Sequence, residues 1–255
     1  MFAALEAFFG PQGWWPVTPR GGGRPVYEPG RLVPEGEAAR FEIAMGALLT
    51  QNTAWKNAEA AVMNLAAEGA LSPERVAGMP MERLERLIQP SGYFRQKARK
   101  LKEFSSHMQK AHPEGLSGWL AGEELQAIRK ELLSIWGIGP ETADSILLYA
   151  GGRPLFVADA YTLRMGRRMG WFGVDAGYEE AAAYLMERLP RSVKLYNEFH
   201  ALIVALGKDY CRPRPICENC PAARLCRHKG ECNGKDGKSR SNARKRPSRA
   251  GSDPA

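Results

Sequence analysis

The chain has 255 residues, 44% hydrophobic and 25% charged; that is enough to bury a sizeable core, as one large domain or two small ones. No apolar run approaches the ~20 residues of a membrane-spanning helix. The opening MFAALEAFFG lacks the basic region and cleavage site of a signal peptide, so a cytoplasmic, reducing location is expected, with no membrane partner. A net charge of +8 allows a polyanionic partner, but +6 of it lies from Arg227 onward. The body is therefore nearly neutral. The Ser-, Gly-, Asn- and Pro-rich tail over 233–255 reads as a disordered basic extension.

In chain order, residues 11–30 are rich in Gly and Pro and predict an irregular loop carrying Trp14 and Trp15. Apolar residues then recur at threes and fours over 41–49, 58–65, 76–88, 98–108, 125–135, 143–148, 161–169, 181–189 and 199–206. Gly- and Pro-containing breakers separate most of these runs and also interrupt 76–88. Short extended pieces are expected at 31–33 and 155–157, and alternating strand patterns are lacking. The reading is an all-α protein.

Within this pattern, Trp136-Gly137-Ile138-Gly139-Pro140-Glu141-Thr142 predicts a tight turn between two helices. Gly137 supplies the left-handed conformation that stops the first helix. Pro140 opens the second, where a missing N–H costs nothing. Glycines there bare the backbone, so N–H groups can approach a phosphate closely. Downstream, Asp159 stands where an extended segment becomes a helix. Its plain reading is an N-cap. Its functional reading is a carboxylate kept ionised by the same bonds, able to stabilise a sugar cation or orient water.

Near the end come Cys211, Cys217, Cys220 and Cys226, spaced C-x5-C-x2-C-x5-C, with Cys232 left over. Four thiolates can hold a 4Fe–4S cluster or a structural zinc ion. A zinc ribbon usually shows two C-x-x-C knuckles and this run has one, which favours the cluster. Two disulfides would need an oxidising compartment.

Hairpin, following aspartate and cysteine loop together resemble the endonuclease III, or HhH-GPD, superfamily of DNA glycosylases, over roughly 41–226. That resemblance implies two helical lobes flanking a DNA-binding cleft. One is a six-helix barrel with the helix-hairpin-helix, at 32–153. The other is a cluster domain at 154–232, on which residues 1–31 pack. It implies that Asp159 is catalytic, that Gly137, Ile138, Gly139 and Thr142 meet DNA phosphate, and that the cysteines hold a 4Fe–4S cluster. Gln51 and Tyr93 match the loops that fill the gap left by an extruded base. The partner implied is double-stranded DNA with a damaged base, the enzyme being a monomer associated with the nucleoid.

Bifunctional members carry a nucleophilic lysine two residues after the hairpin's last glycine, and here Glu141 stands there. A carboxylate cannot form an imine, so the expectation is a monofunctional, water-using glycosylase. Glu141, the D-A-Y-T-L-R around Asp159, Trp14-Trp15-Pro16, the stretch from Gly46 to Trp55, the stretch from Pro90 to Ala98 and Phe199-His200 resemble the bacterial 3-methyladenine glycosylase branch. Leu202 stands where that branch can carry a pocket lysine. Trp14, Trp15 and Trp55 would then offer aromatic faces to a cationic base, and Glu141 would read its edge or balance its charge. The plainer alternatives are core packing for the tryptophans and for Tyr93, a loop hydrogen bond for Gln51, and a solvated first-turn charge for Glu141. Arg164, Arg167 and Arg168 would clamp phosphate or pair with local acids.

Overall fold

The computed structural model describes residues 1–122 and 124–228, so the basic tail beyond His228 and Cys232 lie outside the described residues. Among the described residues there are twelve α-helices and no strand, only an isolated bridge between Val17 and Val26. No described helix is long and apolar enough to cross a membrane.

The first helix, α1 (Phe2–Phe9), packs on the last, α12 (Val193–Asp209), where Phe2 meets Phe199 edge-on at 5.8 Å. Between them run α2 (Glu37–Leu49), α3 (Trp55–Ala67), α4 (Pro73–Gly78), α5 (Met81–Ile88), α6 (Phe94–Ala111), α7 (Leu116–Gly122), α8 (Leu125–Ser134) and α9 (Pro140–Ser145). The second group adds α10 (Ala160–Met169) and α11 (Tyr178–Arg188). The apolar run at 76–88 divides into α4 and α5 because Pro80 cannot continue a helix. Neither α1 nor α7 is visible in the sequence pattern; α7 is short and holds two glycines. The segment at 155–157 is irregular but deeply buried, with Phe156 fully enclosed.

One hydrophobic cluster runs through both helix groups, from Leu48, Leu65 and Phe104 to Phe156, Leu202 and Leu206. Each such side chain, fully buried, contributes about 1.5–3 kcal/mol. Residues 11–31 do not stay on α12. They cross onto α2 and α3, where the buried Glu42 carboxylate accepts from Thr18 N at 2.8 Å and Arg24 pairs with buried Glu59. Trp15 presses on Gly46 in the middle of α2, its indole about 3.1 Å from where a Cβ would stand. The N-terminal segment thus staples the two helix groups together.

Candidate active site

The turn between α8 and α9 forms through local chemistry. Helix α8 stops at Ser134 and Gly137 takes φ +90, with the Lys100 stem lying where a Cβ would project. Gly139 caps α9 with nothing near its missing Cβ, and the N–H groups of Gly139, Glu141 and Thr142 find no acceptor among the described residues. Two of the residues assigned to DNA are otherwise engaged. Ile138 is buried and its N–H donates to Ile135 O at 3.1 Å; the Thr142 hydroxyl accepts from Gln51 Nε2 at 2.9 Å. Only backbone at this turn is left for a phosphate.

Beyond Ser145, helix α9 widens into a π-helical turn, Ile146–Ala150, all of it buried. It carries Tyr149 into the core, where its hydroxyl meets His200 Nδ1, from α12, at 2.6 Å. Tyr149 is fully enclosed, and burial, with the charges of Asp159 and Glu198, raises its pKa well above the ordinary value. The phenol therefore keeps its proton, and among the described residues the ring nitrogen is its only hydrogen-bond partner. Donation from O–H to Nδ1 leaves the His200 proton on Nε2. That Nε2 points at Asp159 Oδ2, 3.6 Å away.

Asp159 is the N-cap of α10, its Oδ1 accepting from Thr162 N at 2.8 Å. It is 9% exposed. Burial alone pushes such a carboxyl up; the His200 contact and the Thr162 N–H outweigh it and hold Asp159 below its ordinary value. Glu141, in the first turn of α9, is open to solvent on one side and hemmed by protein on the others. Partial burial and the neighbouring Asp159 charge push its pKa up, with His200 acting against them. Asp159 is thus an ionised, nearly enclosed N-cap carboxylate beside a second carboxyl whose pKa is raised.

The three tryptophans form one cluster. Trp14, Trp15 and Trp55 lie 5.1–5.3 Å apart by ring centroids, and Trp15 packs edge-on against Tyr149 at 5.3 Å. Trp15 and Trp55 are buried core residues, which is the plain reading for those two. Trp14 is half-buried and borders a cavity of about 370 Å³ between α1, residues 11–32 and the start of α12. Neither Asp159 nor Glu141 lines that cavity, so it is a second concavity rather than the mouth of the carboxylate site.

Two loops flank the hairpin. Gln51 also donates to Gly137 O at 3.1 Å, and Lys100 donates to its Oε1. The loop hydrogen-bonding role therefore holds in the unbound protein. Tyr93 is 70% exposed and in the left-handed region at φ 44, which excludes the core-aromatic alternative. Behind both loops sits Lys97, 2% exposed, whose Nζ donates to Leu49 O at 2.8 Å and Ser91 O at 2.6 Å. Burial, then repulsion from Lys100, pushes its pKa down to about 8. Of the basic residues Arg95, Lys97, Arg99, Lys100 and Lys102 on α6, Lys97 and Lys100 are thus engaged within the protein. Lys102 also binds backbone carbonyls, and Arg99 stacks 4.1 Å over Trp136.

The four cysteines line one cavity of about 90 Å³, walled by Met165, Met169, Leu206 and Ile216. No three of their sulfurs lie within 4.8 Å of one another. A Zn–S bond of about 2.3 Å makes a tetrahedral site with sulfurs about 3.8 Å apart. A 4Fe–4S cluster puts each thiolate on a different iron and needs wider spacing, so these residues fit the cluster better. Among the described residues the three arginines of α10 pair with no acid, and each donates to a backbone carbonyl instead. Arg164 donates to Cys211 O at 2.7 Å, Arg167 to Ala176 O at 2.8 Å, and Arg168 to Arg212 O at 2.6 Å and Cys211 Sγ at 3.2 Å. Arg164 and Arg168 frame the cysteine loop, and Arg168 sets a positive charge beside the Cys211 sulfur.

Sequence reasoning placed Asp159 and Glu141 together but missed Tyr149, and it gave His200 no role. Their partnership spans 51 residues, and no local spacing signals it. Comparison with known proteins agrees with the architecture. A putative DNA repair glycosylase of Methanocaldococcus jannaschii is 36% identical over 226 residues, covering 89% of this chain and 94% of that protein. A solved non-covalent endonuclease III–DNA complex superposes with a TM-score of 0.64 at 25% identity, covering 77% of this chain and 86% of that one. The Helicobacter pylori 3-methyladenine DNA glycosylase (MagIII), at 23% identity, shares the fold with a TM-score of 0.64, over 81% of this chain and 95% of that one. Residues 45–191 match the family profile described as HhH-GPD superfamily base excision DNA repair protein, and the chain belongs to that family.

Proposed function

We propose that this protein is a monofunctional DNA glycosylase that hydrolyses the N-glycosidic bond of alkylated purines such as 3-methyladenine. The observation that carries this reading is the pair Asp159 and Glu141. The ionised carboxylate is held at the start of α10, and the neighbouring position on α9 bears a carboxyl where a lyase needs an amine. A 3-alkylated purine is already cationic, so its departure needs no strong general acid. The C1′–N9 bond breaks with its electron pair going to the base, which leaves neutral. Positive charge then develops on the deoxyribose, and Asp159 stabilises it at short range in a dehydrated site. Water adds to C1′ and releases its proton to solvent. Glu141 balances the charge of the base on entry.

DNA engagement follows from the same geometry. The free N–H groups of Gly139, Glu141 and Thr142 bind phosphate at the helix start, and the extruded base leaves a gap that Tyr93 enters. The four cysteines would hold a 4Fe–4S cluster, which would cross-link the loop after α12 and can supply electron-transfer chemistry; none of the steps above depends on it. The residue limits 32–153 and 154–232 serve as working boundaries for the two lobes.

The test is base release from duplexes carrying a single lesion, with borohydride trapping in parallel. The expectation is release of 3-methyladenine without a covalent adduct, and an Asp159→Asn variant slower by about 10²–10³-fold. An adduct would support a lyase acting on oxidised pyrimidines. The residue favouring that second reading is Lys100, beside the hairpin with a pKa lowered by burial. A Lys100→Met variant that abolishes trapping would establish it and overturn the monofunctional assignment.

A further inference from the structure

Away from this site, the far end of α6 gathers three metal-ligating side chains. His107 Nε2 lies 2.6 Å from Glu131 Oε1, and His112 Nε2 lies 2.7 Å from the same oxygen. The three donor atoms fall within 4.8 Å of one another, the one such convergence among the described residues. They come from separate pieces of the fold: His107 from α6, His112 from the residue that ends it, and Glu131 from α8. His107 is about 15 Å further along α6 than Lys97 at 1.5 Å per residue, so the group is remote from the loops that flank the hairpin.

Its surroundings are those of a built site. His112 is 8% exposed and stacked on Trp119 at 4.2 Å, which fixes the plane of its ring. Its other nitrogen, Nδ1, faces Glu114 Oε1 at 3.2 Å. A carboxylate behind a histidine, on the nitrogen opposite the ligating one, sets the tautomer and raises the basicity of a metal ligand. Two imidazoles and a carboxylate form a borderline donor set suited to Zn²⁺, with a fourth position left for water. Zn–N and Zn–O bonds of about 2.0–2.1 Å put tetrahedral ligand atoms about 3.3 Å apart. The present contacts would open by about 0.6 Å on binding, a small movement for two side chains that are partly solvent-facing.

We propose that His107, His112 and Glu131 form a site for a divalent transition metal of the Zn²⁺ class, with Glu114 orienting His112. Bound metal replaces the hydrogen bonds among the three with coordination bonds and ties the end of α6 to α8. Helix α8 leads directly into the hairpin, so the site braces the DNA-facing turn from behind. It is separate from the cysteine centre in place and in donor type.

The experiment is a titration of the full chain, purified with its cysteine centre loaded, using Zn²⁺ for affinity and thermal stability and Co²⁺ as the spectroscopic probe. The expected result is one saturable site at micromolar concentration or tighter. Co²⁺ should give visible bands of nitrogen and oxygen ligation without thiolate charge transfer. His107→Ala and Glu131→Gln should each weaken binding by about tenfold or more and abolish the Zn²⁺-dependent rise in melting temperature. His107 is the most exposed of the three side chains, and Glu131→Gln preserves shape, so circular dichroism should show both variants folded. Absence of saturable binding, a spectrum of thiolate ligation alone, or affinity unchanged in either variant would overturn the proposal.

Discussion

His200 holds Nε2 3.6 Å from the Asp159 carboxylate while its Nδ1 is pinned 2.6 Å from the hydroxyl of Tyr149. The buried phenol sets the tautomer, and the tautomer directs a proton at the carboxylate. In the proposed reaction Tyr149 and His200 are positioning residues, acting through Asp159. Removing the His200 contact leaves burial as the dominant influence on Asp159, and burial pushes a carboxyl upward. His200→Leu should therefore move the acid limb of the kcat/KM profile from below the ordinary aspartate value of 3.8 to above it. Tyr149→Phe should shift it in the same direction by less. A profile left in place in both variants would show that the triad is only packing. Stability carries the same sign: the depressed Asp159 pKa stabilises the fold above pH 3.8, and that contribution is lost as pH falls through the folded value.

Glu141 has the opposite linkage. Its folded pKa lies above its ordinary 4.5, so between those values the folded state binds more protons than the unfolded chain. Stability from this group is present at lower pH and declines as pH rises through the window. Glu141→Gln should raise the melting temperature at neutral pH and flatten its dependence on acidification, while lowering release of a cationic base relative to a neutral one. Calorimetry at several pH values with a two-lesion comparison checks both halves.

The hairpin is anchored by an enclosed ion pair. Arg129, on α8, forks onto Asp144 of α9 at 2.7 and 3.1 Å, and Tyr178 of α11 donates to the same carboxylate at 2.8 Å. Asp144 is 2% exposed, so burial raises its pKa and Arg129 counters that. Arg129→Met leaves a buried carboxylate unpaired and should cost about 3–5 kcal/mol in chemical denaturation. Asp144→Asn, which keeps the shape but loses the charge, should also destabilise. The double variant should recover part of the loss, since an isolated buried charge is worse than none.

Lys97 joins the Gln51 loop to the Tyr93 loop through two carbonyls. Between pH 8 and its ordinary 10.5 the unfolded chain holds more protons at this residue, so its contribution to stability rises with pH across that window. Lys97→Met deletes both bonds, each worth about 1 kcal/mol net, but also removes an ammonium whose burial is costly. Global stability should change little, whereas amide exchange at 50–54 and 89–93 should accelerate. If Tyr93 fills the gap in the stack, Tyr93→Ala and Lys97→Met should both slow release from duplex DNA more than from single strands. Equal slowing on the two substrates would remove Tyr93 from that role.

What could be read from residues alone was local. Gly137 and Pro140 set the turn, Asp159 capped its own helix, threes and fours marked most helices, and the cysteine spacing allowed a shared metal centre. Each of these depends on neighbours within a few positions, where backbone sterics and hydrogen bonding act directly. The tertiary structure alone decided which side chains meet. It enclosed Trp15 and Trp55, turned Lys97 inward, set the α10 arginines on carbonyls, and brought Tyr149 to His200 across 51 residues. Burial fixes the Lys97 and Tyr149 partnerships, because an enclosed ammonium or phenol needs an acceptor wherever the packed helices happen to supply one.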